Sequence, residues 1–312
     1  MKTKKRVLVT GASGLIGQAV VGVLANYGHD VIALYREKEL PASLQNICLD
    51  VIKGDICEKN LSNNLFHDVD VVCHLAAYIP ANHNNIDDAE KCYQTNALAT
   101  INLATRAVAH KVSRFIYIST GNMYTFSQRI AVESDAVFPS AVAAPYFVSK
   151  LAGEIYTSFI CQSSTMTCVI LRIGTPYGPG EPKNKLIPSF LRQAIFGNEL
   201  NVYHGGLPKY NFVYVDDIAL CVEKALSKGE AGIYNVSSGE STTLKELVDT
   251  IASIFSDRQL KINIVPPALN TVRGFTPMSI EKAKSMWDYQ PLNLKDGIRK
   301  YLKSINGEIT GK

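Results

Sequence analysis

Tyr146-Phe-Val-Ser-Lys150 sets a phenol and an ammonium four residues apart. On a helix the two share one face, with Cβ atoms about 5–6 Å apart. An ammonium at that range stabilises a phenolate and is expected to draw the tyrosine pKa down from about 10 toward working pH. Tyr146 then exchanges a proton with a hydroxyl or carbonyl oxygen while hydride moves at the adjacent carbon. Lys150 is also expected to hydrogen-bond a nicotinamide ribose. A strand ending in Ser119-Thr120 comes before this segment, and the Thr120 hydroxyl is expected to hold the same substrate oxygen.

A second pattern supplies the hydride carrier. Gly11-Ala-Ser13-Gly14-Leu15-Ile16-Gly17 lies between an apolar run and a helical one. The first glycine permits a tight turn, the second lets a pyrophosphate approach the backbone, and the third lets helix and strand pack closely. The helix N-terminus offers unpaired N–H groups to phosphates. At the end of the next strand, where an acid would accept from a ribose 2′-OH, the chain has Tyr35-Arg36. A guanidinium there clasps a 2′-phosphate or stacks on adenine, so NADP is favoured over NAD.

These groups need a scaffold. Short apolar runs alternate with helical patterns: Val7–Thr10, Asp30–Tyr35, Asp50–Lys53, Asp70–Leu75, Arg114–Ser119 and Thr167–Arg172 read as strands. Helices are expected over 14–27, as one long element over 87–110, and over 145–162. Near-continuous apolar strands separated by helices predict a parallel sheet covered on both faces, a doubly wound α/β (Rossmann) fold. A Pro/Gly-rich break at Thr175-Pro-Tyr-Gly-Pro-Gly-Glu-Pro182 starts a different texture. The reading assigns 1–174 to a dinucleotide-binding domain and 175–312 mainly to a smaller mixed α/β substrate lobe, with interleaving between lobe and sheet left open.

Composition narrows the class. The 312 residues are 46% hydrophobic and 19% charged, which excludes wholesale disorder. A net charge of +4 is too small for a nucleic-acid protein and suits an anionic small ligand. Seven cysteines without a CxxC predict a reducing compartment and no disulfide frame. The histidines lack ligand spacing, so no metal site is expected. No apolar run of about 18 residues occurs, and glycines interrupt the one near the start, so no membrane contact and a cytoplasmic location are expected. His74 reads as a strand-end histidine that bonds locally, Asp216-Asp217 as helix-start acids, and Trp287 as a core anchor of the C-terminal lobe.

Taken in order, the pieces resemble the extended short-chain dehydrogenase/reductases, specifically the nucleotide-sugar epimerase/dehydratase group. They are the glycine turn, Gly54-Asp-Ile56, His74-Leu-Ala-Ala77, Asn96, Phe115–Thr120, Tyr146–Lys150, Leu171–Pro179 and Phe212–Asp217. The resemblance implies that Asp55 and Ile56 meet the adenine and that Leu75, Ala76 and Ala77 line the path toward the nicotinamide. It implies that Asn96 steadies the long helix beside the cofactor, and that Thr120, Tyr146 and Lys150 form the catalytic set. Thr175 stands where many relatives carry an Asn that binds a sugar-nucleotide phosphate. Tyr210, flanked by Lys209, stands where many carry a diphosphate-clamping Arg; Lys209 and Arg273 are the remaining phosphate candidates.

The group's dehydratases carry acids just after the catalytic Thr, whereas this chain has Gly121-Asn122. Hydride transfer on a nucleotide sugar is therefore expected, most readily at C4, as a ketoreductase or an epimerase rather than a dehydratase. A reductase of a non-nucleotide carbonyl compound and a non-enzymatic cofactor sensor are the alternatives. The resemblance further implies a homodimer built on the helices around 87–110 and 145–162.

Overall fold

The computed structural model describes residues 3–58, 61–81, 85–138, 144–197, 199–267 and 274–310. Seven strands build the central sheet: β1 (Arg6–Thr10), β2 (Asp30–Tyr35), β3 (Asp50–Lys53), β4 (Val71–His74), β5 (Arg114–Thr120), β6 (Thr167–Ile173) and β7 (Gly232–Val236). All neighbours pair in parallel, in the order β7-β6-β5-β4-β1-β2-β3. The order reverses between β1 and β4, which opens a crevice at their C-terminal ends, where ligands of this architecture bind.

Both faces of the sheet are buried, which explains the unbroken apolar runs. On one face Val7, Val9 and Val31 pack against helix α1 (Leu15–Asn26) through Val20, Val21 and Leu24. On the other, Leu8, Val72 and Phe115 pack against α2 (Ala99–Ala109) through Leu103, Ala104 and Ala107. The same layer holds α3 (Ala144–Gln162), which carries Tyr146 and Lys150. A separate core around Tyr177, Phe190, Leu191, Leu247 and Ile298 builds the lobe. The chain returns from the lobe to add β7 beside β6, after α4 (Val215–Ser227) has packed on α1.

Two expectations change. Trp287 does not anchor the lobe: its indole packs on Tyr234 of β7 at 4.4 Å and joins the core of the central sheet. Its N–H donates to the Lys228 carbonyl at 2.9 Å. Nor is the 87–110 run one α-helix, because Tyr93–Leu98 winds as a π-helix between Asp88–Cys92 and α2. Hydrophobic periodicity does not register such a widened turn.

Candidate active site

The crevice is a cavity of about 470 Å³. Its walls include Gly11, Ser13, Gly14, Leu15, Ile16, Gly17, Arg36, Asp55, Ile56, Leu75, Ala76 and Ala77. Every wall residue expected along the dinucleotide path from the glycine turn to Ala77 is therefore in one place. Lys38, Ile79, Thr95 and Pro176 also line it; the first three lie in no recognised motif, and Pro176 lies in the Leu171–Pro179 piece but is given no role by it. Gly11 adopts φ +67°, and a Cβ there would meet the Ala76 nitrogen at 2.7 Å. A Cβ on Gly17 would meet the Gly11 carbonyl oxygen at 2.1 Å. Turn, helix and the segment leaving β4 therefore touch backbone to backbone, which is the cradle a pyrophosphate requires.

His74 supports this floor. Its Nδ1 lies 2.7 Å from Thr10 Oγ1 and its Nε2 2.8 Å from Thr100 Oγ1. Thr100 donates onward to the Asn96 carbonyl, so Nε2–H donates to Thr100 and Nδ1 accepts from Thr10. Thr10 Oγ1 in turn accepts from the Ala76 N–H at 3.2 Å. Burial, with the Lys150 charge as a second cause, pushes the imidazole pKa down to about 3, so His74 is a neutral strut.

Asn96 sits in the π-turn, fully buried, and ties three elements together. Its Nδ2 donates to the Tyr78 carbonyl and to Ser149 Oγ, and its Oδ1 accepts from the Tyr78 N–H at 2.7 Å. Ser149 belongs to α3, so Asn96 docks the helix bearing Tyr146 and Lys150 against the loop that leaves β4.

Lys150 is buried at 3% exposure, with its ammonium 4.1 Å from the Tyr117 ring centre. Burial lowers its pKa to about 7, with the Glu154 charge acting the other way. Tyr146 departs from expectation: burial, with Cys92 as a second cause, pushes its phenol up to about 12. The ammonium lies over Tyr117, and the desolvation of a would-be phenolate outweighs any help from the neighbouring charge. Thr120 Oγ1 accepts from the Asn122 N–H at 3.2 Å. That bond leaves the Thr120 hydroxyl hydrogen for a further acceptor. Tyr146 joins a small apolar cluster with Met123, Phe147, Val137, Leu151 and Phe275.

Phe275 links this cluster to the lobe, meeting Tyr210 edge-on at 5.9 Å. Tyr210 stacks on Phe212 at 5.3 Å, and its backbone pairs with Thr242. The half-buried Lys209 is held in the same ribbon beside Gly274. Thr175 pairs with Phe212, and its buried Oγ1, like Asn211 Oδ1, has no hydrogen-bond partner among the described residues. Arg273 lies outside the described residues. Asp217 accepts from the Leu292 N–H and Asp216 pairs with Lys300 at 2.7 Å, so both acids have structural partners.

A family model, NAD dependent epimerase/dehydratase family, matches residues 7–237. The chain belongs to this family. It is an NAD(P)-dependent enzyme of the extended short-chain dehydrogenase/reductase type. Among curated relatives, human (Homo sapiens) dTDP-D-glucose 4,6-dehydratase is 28% identical over 96% of this chain and 89% of its own length. A putative UDP-glucose 4-epimerase of Methanocaldococcus jannaschii is 28% identical over 94% of this chain and 96% of its own. Among solved structures, UDP-glucuronic acid 4-epimerase from Bacillus cereus, in complex with UDP-glucuronic acid and NAD, superposes with a TM-score of 0.81. It is 25% identical, covering 97% of this chain and 99% of the other. UDP-glucose 4-epimerase from Thermotoga maritima, with UDP-glucose, shares the fold at a TM-score of 0.85 and 23% identity, covering 97% of this chain and 99% of the other.

The family's nicotinamide dinucleotide fits the residues present. The glycine contacts hold the turn open for phosphates, Ile56 and Ala76 give the cleft apolar walls, and the α1 N-terminus faces into it. Metal-ligand clusters of three or more His, Cys, Asp or Glu are absent among the described residues, as is any helix long and apolar enough to cross a membrane.

Proposed function

We propose that the protein transfers hydride at C4 of a nucleotide sugar, as a 4-epimerase or 4-ketoreductase, without eliminating water. The observation that carries this is the fate of the position after Thr120. A Cβ on Gly121 would fall 1.9 Å from Met278 Sδ, so a buried thioether fills the space an acidic side chain would use. The carboxylate packed behind Thr120 is Glu154, committed to Ser119 and Arg172. Elimination needs an acid/base pair flanking the departing hydroxyl, and these groups do not provide one.

A nicotinamide dinucleotide in the crevice supplies the hydride acceptor and donor. In reduction Tyr146 Oη, kept protonated near neutral pH by burial, donates the proton that joins the sugar oxygen, and in oxidation its phenolate form takes the proton that leaves that oxygen. The Thr120 hydroxyl orients the same oxygen. Thr175 Oγ1 and Asn211 Oδ1 are buried polar atoms ready to meet a ligand near the lobe, with Lys209 in the ribbon that pairs with Thr242 and Thr243.

The test is a panel of UDP-glucose, UDP-galactose, UDP-glucuronic acid and dTDP-glucose with NAD or NADP, followed by mass spectrometry for mass changes and by proton NMR for the configuration at C4. A mass-neutral C4 epimer supports the reading. Loss of one water from the sugar sinks it, as does inertness on all four together with their 4-keto forms.

Arg36 and Lys38 favour NADP. The Arg36 guanidinium lies 3.1 Å from Glu37 and 4.0 Å from Asp55 and is half exposed at the cleft rim. Arg36→Ala is expected to weaken NADP binding about 10-fold or more, the worth of one charge-assisted hydrogen bond, with NAD changed less than about threefold. Calorimetric titration of both dinucleotides checks it, and equal losses for the two contradict the assignment.

The protein acts as a homodimer. Val148, Ile155 and Phe159 form one stripe on α3, opposite its buried Lys150 and Glu154, and are 54%, 58% and 64% exposed. An apolar stripe on a helix whose other face is already buried suits a second copy of itself. The double variant Ile155→Asp/Phe159→Asp is expected to halve the mass seen by light scattering. A monomeric parent chain rejects the dimer.

A further inference from the structure

We propose that Glu154 is a positioning residue for the reaction, holding Lys150 as an ammonium and, through Ser119 and Arg172, fixing the strand end that carries Thr120. The inference rests on the reading of Thr120, Tyr146 and Lys150 given above. Tyr146, Lys150 and Glu154 follow one another at four-residue spacing on α3, and Lys150 and Glu154 are both 3% exposed. A carboxylate so deep is stable only with partners. Glu154 Oε2 accepts from Ser119 Oγ at 2.8 Å, the residue directly before Thr120. Arg172 Nε lies 3.2 Å from both carboxylate oxygens, and its Nη2 pairs with Oε1.

The partners form a row rather than an isolated pair. Ser119 on β5, Arg172 on β6 and Asn235 on β7 are register neighbours across three adjacent strands. Arg172 Nη1 donates to Tyr124 Oη at 3.0 Å, and Tyr124 donates to Asn235 Oδ1 at 2.8 Å. Glu133 closes the row by accepting from the Asn235 N–H at 2.8 Å. This polar layer lies one residue below the strand end bearing Thr120.

The groups facing Lys150 are Tyr146 and Glu154 on its own helix, Tyr117 on β5 and His74 on β4; Arg172 on β6 meets Glu154. His74 is neutral, Tyr117 and Tyr146 are phenols raised by burial, and Arg172 is cationic, so Glu154 is the anion that favours the ammonium. Removing its charge lets burial lower Lys150 further, so the ammonium is lost at a lower pH.

The experiment follows the Lys150 ε-methylene by NMR of the holoprotein labelled with ¹³C-lysine, the resonance being assigned by its loss in Lys150→Met. In Glu154→Gln the titration midpoint is expected to fall by about one pH unit, and Glu154→Asp restores it. Glu154→Gln/Arg172→Met leaves no unpaired guanidinium should the single variant fail to fold, and because it also removes a cation its fall is expected to be smaller. The alkaline limb of UDP-glucose turnover moves with the midpoint. An unmoved midpoint in the folded variants overturns the proposal. Full turnover in Lys150→Met overturns the underlying reading of Lys150 instead, and the two failures are told apart by which variant shows them.

Discussion

Tyr146→Phe is expected to lower turnover by at least about 10²-fold while dinucleotide affinity stays within about twofold, because positioned proton transfer contributes on that scale. The substitution removes one oxygen and keeps the ring that packs beside Phe147 at 5.5 Å and joins Met123 and Phe275. The substitution leaves the glycine turn and the Leu75, Ala76 and Ala77 wall untouched, so dinucleotide binding is expected to persist. Burial puts the phenol at about 12, so at neutral pH it is a donor, and lowering the pH leaves it one. Lys150, lowered to about 7, is the group whose charge changes near neutrality. Activity that needs the ammonium is therefore full below that value and is lost as the pH rises through it. Steady-state kinetics across pH together with dinucleotide titration decides the matter: normal turnover by the variant removes Tyr146 from the mechanism.

The parts legible in the sequence are those governed by local rules. The glycine turn was readable because each glycine answers a backbone contact, and β1, β2, β4, β5 and β6 were readable because a sheet buried on both faces leaves unbroken apolar runs. Tyr146 and Lys150 share a face because a helix repeats every 3.6 residues. The parts that were not legible depend on partners distant in sequence. Glu154 pairs with a residue 18 positions away, and Arg172 reaches Tyr124 across 48. The π-turn carries Asn96, which reaches back to Tyr78 and across to Ser149, contacts that hydropathy does not encode. The direction of the Tyr146 shift was misread because spacing gives the proximity of a charge but not the depth of burial, and here burial wins. Trp287 was misplaced for a similar reason, since the chain crosses back to the central sheet after building the lobe.

Two glycines of one helix should respond in opposite ways to the same substitution. Gly17→Ala puts a methyl 2.1 Å from the Gly11 carbonyl oxygen and 2.8 Å from the Ala12 backbone, both parts of the turn itself. Neither neighbour is a flexible side-chain end, so α1 must move away from the turn. Overpacking of this kind costs about 1–3 kcal/mol, which lowers the melting midpoint by about 1–2 °C per kcal/mol in a chain of this size. The displaced N-terminus no longer aims its N–H groups at the phosphates, and dinucleotide affinity falls by at least about tenfold. Gly22→Ala lies five residues on, and its methyl meets only Leu44 Cδ2 at an ordinary 3.6 Å. Alanine is favoured over glycine inside a helix by about 0.8–1 kcal/mol, so this variant should melt higher and bind the dinucleotide as the parent does. Thermal denaturation and NADP titration of the two variants side by side test the cradle directly. If Gly17→Ala binds as tightly as Gly22→Ala, the close contact between α1 and the turn is not what holds the phosphates.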